Sequence, residues 1–414
     1  MIFDTDTIKE KYLNIVKEAW LATEATFPDF LCEISQERKL KNEAYISSTR
    51  IRLQESMNDI PKAPWKRKYW KQTLLTLTED VLYQENIINV HSSMEPKELA
   101  EFQDELKEFM RQVRKFSPEL SFDEIGQALR NYIVYAMFKK IHRDNSGFSR
   151  AGFGYSMLYP FTDNFIDNSN TTSAEKAEYN QIIRDKLKGK KVFPSTTHHK
   201  KTCALLDDIE TIFPRETHPM TSHLLLMMLD AQESSLQQQD STTVLSQEER
   251  LNISIYKGGI SVLIDRYFVS KELREADILF YIGLGFFLQL ADDLQDIKED
   301  SENGYQTLFT FNLDPVHEEE LVNQLLHYIY HIMNSFQAEN DHFKDFVLLN
   351  CYQLIYTSII RSKAFFSPEF LEKIERLLPV TICYYDNFTK DMAISFEGKD
   401  QNKYHKVLDA LIFA

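Results

Sequence analysis

Four aspartates stand within nine residues: Asp292, Asp293, Asp296 and Asp300. Asp292, Asp296 and Asp300 are spaced i, i+4, i+8, which on a helix stacks them along one face. Like charges at that spacing repel, and a nearby helix C-terminus adds to the cost. A hard divalent cation would compensate. Mg²⁺ takes oxygen ligands from one or two carboxylates and completes its shell with water and substrate phosphate. The cluster grows directly out of an apolar run, Ile278 to Leu288, so a metal site accounts for it better than a solvated acidic helix end.

A second pair of carboxylates lies upstream. Asp163 and Asp167 are i, i+4 and again end an apolar segment, in which Pro160 would kink the helix. Asp and Asn before a polar loop also end helices for ordinary reasons. The distance to the later cluster, about 130 residues, is what gives the pair functional weight. Between them, Lys257, Ser261 and Asp265 share a helical face. The adjoining Gly258-Gly259 pair either admits a close neighbour, helix or phosphate, or marks a kink. Arg130 lies amid apolar residues, Lys298 and Tyr305 follow the aspartates, and Gln289 sits one turn before Asp293. Phe161, Phe165, Phe286 and Phe287 are near enough in sequence to line an apolar cavity with π faces.

Gly283-Leu284-Gly285-Phe286-Phe287-Leu288-Gln289-Leu290-Ala291-Asp292-Asp293-Leu294-Gln295-Asp296 resembles the second aspartate-rich helix of trans-prenyl diphosphate synthases. Together with Asp300 it also resembles the metal-binding helix of class I terpene synthases, and the pattern is similar to that of squalene and phytoene synthases. Asn164 stands where prenyl synthases carry a second Asp, so the first motif is closer to the Asp-x-x-x-Asp style of bacterial large-terpene synthases. The resemblance implies an all-α, class I terpenoid synthase-like antiparallel helix bundle around a central apolar cavity. It implies Mg²⁺ held by Asp163, Asp167, Asp292, Asp293, Asp296 and Asp300, with Asp163, Asp167, Asp292 and Asp296 catalytic. It implies diphosphate contacts from Lys257, Lys298, Arg130, Tyr305 and Gln289, and it allows a homodimer. No Gly-Lys-x-x-Arg-Pro segment is present on the N-terminal side, which favours ionisation and cyclisation or elimination of one prenyl diphosphate. A prenyltransferase, chain-elongating or head-to-head condensing, is the alternative. A helical binding protein without catalysis is the alternative of another class.

The elements that must position these groups read as helices. Among 414 residues there are only 11 Gly and 12 Pro, too few turn formers for a sandwich or an α/β fold. Capping boxes mark helix starts at Ser121 with Glu124, Thr172 with Glu175 and Ser246 with Glu249, and Ser367-Pro368 marks another. The net charge of −16 excludes a nucleic-acid binder, which needs clustered cations. Four widely spaced cysteines suggest neither zinc nor disulfides. No signal-peptide pattern or membrane-spanning run is evident, and the expectation is a cytoplasmic enzyme. Residues 1–115 are charge-rich and are expected to form a helical extension on a synthase-like domain at 116–414. Within that extension, Pro64-Trp65-Lys66-Arg67-Lys68-Tyr69-Trp70-Lys71 is expected to open an amphipathic helix with its tryptophans packed inward, in preference to an anion-binding surface.

Overall fold

The computed structural model describes residues 5–58, 60–61, 63–85, 87–168, 170–240, 242–396, 407 and 409, without the side chains of 57–58, 64, 78–79, 82–84, 167 and 392–396. All regular structure among them is helical. The first helices are α1 (Thr5–Thr7), α2 (Leu13–Leu21), α3 (Gln36–Asn58), α4 (Pro64–Gln84), α5 (Val90–Ser93) and α6 (Pro96–Phe116). Next come α7 (Phe122–Ile141), α8 (Arg150–Asp167), α9 (Ser173–Leu187), α10 (Thr197–Ile212), α11 (Pro219–Ser235) and α12 (Gln247–Ser270). The rest are α13 (Glu275–Gln295), α14 (Ile297–Asn303), α15 (Pro315–Ser335), α16 (Asp341–Arg361), α17 (Pro368–Leu377) and α18 (Ile382–Phe396). The capping boxes read at Thr172 and Ser246 open α9 and α12, each with both reciprocal hydrogen bonds made. No described helix is long and apolar enough to cross a membrane.

Contacts divide the chain into two compact units, each built from two separate stretches: Met1–Pro28 with Asp123–Ser367, and Asp29–Phe122 with Pro368–Ala414. This departs from the expected boundary at 115/116, for physical reasons visible at both ends. In the first unit, Trp20 of α2 is buried edge-on against Phe286 and Tyr328, with ring centroids at 5.3 and 5.5 Å. The backbone carbonyls of Trp20, Ala25 and Thr26 bond the side chains of Gln324, Asn323 and His327 on α15. Ile8, Tyr12 and Val16 are buried along with Trp20, a short apolar face that the charge-rich composition conceals. In the second unit, Asn42 Nδ2 donates to the Pro379 carbonyl at 2.8 Å, and Glu43 accepts from both the amide and the hydroxyl of Thr381.

The core of the first unit is the pair α12 and α13. Gly258 and Gly285 face each other so closely that a Cβ on either would lie inside contact distance of the other's backbone carbonyl. At Gly259 a Cβ would meet Ile282 Cγ2 at 2.7 Å. Gly258-Gly259 lies within α12, and the two glycines admit the neighbouring helix α13. In the second unit, the basic helix start at Pro64 is confirmed as α4, but only one of its tryptophans turns inward. Trp70 packs with Leu74 and Val407 and donates Nε1–H to the Ser56 carbonyl at 2.7 Å. Trp65 and Tyr69 face solvent.

Candidate functional site

The close approach of α12 to α13 sets the geometry of the aspartate cluster. α13 ends at Gln295, and Asp296 is its C-cap, with φ −105° and ψ 12°. The three spaced aspartates therefore do not ride one uninterrupted helix, as the sequence predicts. The hydrogen-bond register survives the break: Asp296 N–H donates to the Asp292 carbonyl at 3.1 Å, and Asp300 N–H to that of Asp296 at 2.9 Å. Asp292, Asp296 and Asp300 thus keep their one-turn spacing from α13 into α14.

Burial first, and neighbouring carboxylates second, raise the pKa values of Asp292, Asp293 and Asp300. Asp292 is open to solvent yet flanked by protein. Desolvation and the neighbouring Asp296 raise its pKa, against the opposing pull of Lys257, Arg130 and Arg361. Asp300 is half-buried and pushed up to about 7, first by desolvation and then by Asp296 and Asp292. Asp293 is buried. Desolvation carries it up to about 8, although Gln289 Nε2 donates to it at 2.9 Å and Ser254 Oγ lies 3.5 Å away. Lys257, half-buried on α12, acts on Asp292, Asp293 and Asp300 alike.

The upstream pair lies on α8. α8 starts at Ser149, whose hydroxyl accepts from the Gly152 amide, and it carries Pro160 inside its span. Asp163 accepts from Gln232 Nε2 at 2.6 Å and from Thr162 Oγ1 at 2.9 Å. Asp167 closes α8 one turn later, and its side chain lies outside the described residues. Asp163 and Gln232 border a pocket between α8, α9, α10 and α11 that is partly open to solvent and encloses about 40 Å³. Its lining is otherwise mostly aliphatic, including Leu158, Ile183, Leu206 and Met228, with Tyr155 and Tyr159 on one side. The Tyr155 hydroxyl donates to the Ser261 carbonyl at 3.0 Å, which ties α8 to α12. One turn further along α12, burial holds Asp265 well above the carboxylate range, and its Oδ1 has no hydrogen-bond partner.

The remaining candidates have the following surroundings. Lys298 is exposed and lies 3.9 Å from Glu302 on its own helix, away from the aspartates. Tyr305 is half-buried, and its amide closes the end of α14 on the Asp300 carbonyl at 2.8 Å. None of the four phenylalanines borders the cavity. Phe161 and Phe165 stack on His198, with centroids at 5.3 and 4.8 Å, Phe286 packs against Trp20 and Tyr328, and Phe287 is fully buried. Helical spacing gives the face of a residue relative to its helix, and not which neighbour that face meets. Conversely, Arg361 at the end of α16, Gln232 on α11, and Tyr155 and Tyr159 on α8 were not anticipated. The signal for Gln232 was a lone amide in the helix that carries the apolar run Leu224 to Leu229.

Among the described residues, no three His, Cys, Asp or Glu side chains converge as a preformed metal centre would require. Mg²⁺ asks for less, since one or two carboxylates suffice when phosphate and water fill the remaining positions. Two neighbours among Asp292, Asp296 and Asp300, one turn apart in the backbone register, would meet that demand. No protein-family model matches the sequence, and no curated protein is significantly similar to it.

Proposed function

We propose that this chain is a Mg²⁺-dependent enzyme of the class I terpene synthase kind that ionises a prenyl diphosphate. The observation that carries the reading is the register-preserving series Asp292, Asp296, Asp300 with Lys257, Arg130 and Arg361 in electrostatic range. Carboxylates beside cations at one end of apolar helices suit a ligand that is anionic at its head and apolar along its tail.

Asp292, Asp296 and Asp300 would hold the metal on one side, and Asp163 and Asp167 on the other. Bound Mg²⁺ would supply Lewis-acid neutralisation of the diphosphate as it leaves. Lys257 and Arg130, with Arg361, would hold the remaining oxygens through charge-assisted hydrogen bonds. The carbon–oxygen bond would break with its electron pair leaving on the diphosphate, and the prenyl cation would be left against the aliphatic side chains beside Asp163. Closure of the aliphatic side chains Leu158, Ile183, Leu206 and Met228 around it would keep water from that cation until it cyclises or loses a proton. The Tyr155 and Tyr159 rings offer the π faces that the four phenylalanines do not.

The hydrogen bond from Gln289 to Asp293 favours a second reading. It orders the Gln-x-x-Asp-Asp pattern that resembles condensing prenyltransferases. The discriminating assay is pyrophosphate release by purified protein with Mg²⁺ and prenyl diphosphates of increasing length, each with and without isopentenyl diphosphate. Release without the co-substrate, with a hydrocarbon or alcohol product, supports the synthase reading. Release only with it moves the chain to the prenyltransferases. No release with any of these substrates rejects both.

A further inference from the structure

The first two turns of α4 carry a surface that the proposed chemistry does not use. Trp65 and Tyr69 stand one turn apart on a single face and are 78% and 80% exposed. Each residue advances about 100° around a helix, so Lys66 and Lys68 fall on either side of this aromatic pair. Both lysines are exposed. Arg67, which donates Nε–H to the Pro61 carbonyl at 3.1 Å, and half-buried Lys71 complete the cluster. No acidic residue occupies the first turn. These cations do nothing for their own helix, because positive charge near an N-terminus opposes the macrodipole. In a chain of net charge −16, the face is a local reversal of sign.

Two large rings held in water forgo the hydrophobic gain that an interior would provide. Trp and Tyr, with apolar bodies and polar tips, suit the boundary between lipid headgroups and acyl chains. Lysines beside them suit anionic headgroups, and the acidic remainder of the protein is screened beyond a Debye length of about 8 Å. Nucleic acid would call for a longer basic track.

We propose that the outer face of α4, Trp65 and Tyr69 flanked by Lys66 and Lys68, docks the protein peripherally on an anionic lipid surface. The test is co-sedimentation of the full chain with phosphatidylcholine vesicles, with and without phosphatidylserine, at low and high salt. Binding only to the anionic vesicles, weakened by salt, is expected. Lys66→Glu with Lys68→Glu should weaken it about tenfold or more, and Trp65→Ala with Tyr69→Ala should do the same with an unchanged melting temperature. Equal binding to neutral vesicles, anionic binding that survives both double substitutions, or no vesicle binding would overturn the proposal. Tighter binding to an anionic polymer such as RNA than to the vesicles would overturn the lipid assignment.

Discussion

Asp292 and Asp296 are where the functional reading meets its most direct challenge. Their mutual repulsion costs stability in the metal-free protein, so Asp292→Asn with Asp296→Asn should leave the melting temperature at or above wild type. Turnover should be abolished, and the increase in melting temperature that Mg²⁺ gives the wild type should disappear. A collapse of helix content by circular dichroism would instead make these aspartates structural. Glu318 allows a separate test of burial, remote from any metal. It is fully buried at the start of α15, and desolvation raises it to about 8. A folded-state pKa above the unfolded value means the native protein holds a proton that the unfolded chain has lost. Its stability therefore falls as pH rises from the ordinary carboxylate range to about 8, then levels off. Glu318→Gln does not titrate, so its stability advantage over wild type should grow across that interval and be absent near pH 4, as urea midpoints at several pH values would show.

At the scale of elements, the α12–α13 contact is the tightest test of the fold. Gly285→Ala places a methyl group against the Gly258 carbonyl, backbone on backbone, with no flexible side chain to yield. Alanine gains about 1 kcal/mol in helix propensity, but overpacking costs about 1–3 kcal/mol or more. The net expectation is a clear loss of stability in urea denaturation, with Gly258→Ala behaving alike. The α12 start and the Gly258-Gly259 pair were readable because capping and backbone approach are local properties of sequence. So was the one-turn spacing of Asp292, Asp296 and Asp300. The break at Asp296 was not, because the residues on either side of it carry no Pro or Gly to announce it. Arg361 escaped notice for another reason: it reaches the site from the far end of α16, and no local pattern links it to Asp292.

At the scale of the whole molecule, the first 28 residues belong with the unit that holds the aspartates. Trp20 is only 3% exposed, so Trp20→Ala should cost about 3–5 kcal/mol, measurable as a lower urea midpoint. A dispensable N-terminal extension would show almost no change. Composition pointed the other way because four buried apolar residues, Ile8, Tyr12, Val16 and Trp20, weigh little against many charges, and the ring partners of Trp20 lie far along the chain. That separation has a consequence in time. During synthesis Trp20 emerges early, while Phe286 and Tyr328 follow by roughly 300 residues, or about 15 s to a minute at ordinary elongation rates. Throughout that wait the indole is an unsheltered greasy surface on a nascent chain, a handle for holdase chaperones and for like chains on neighbouring ribosomes. The segment around Trp20 thus cannot take its place until α13 and α15 have been made.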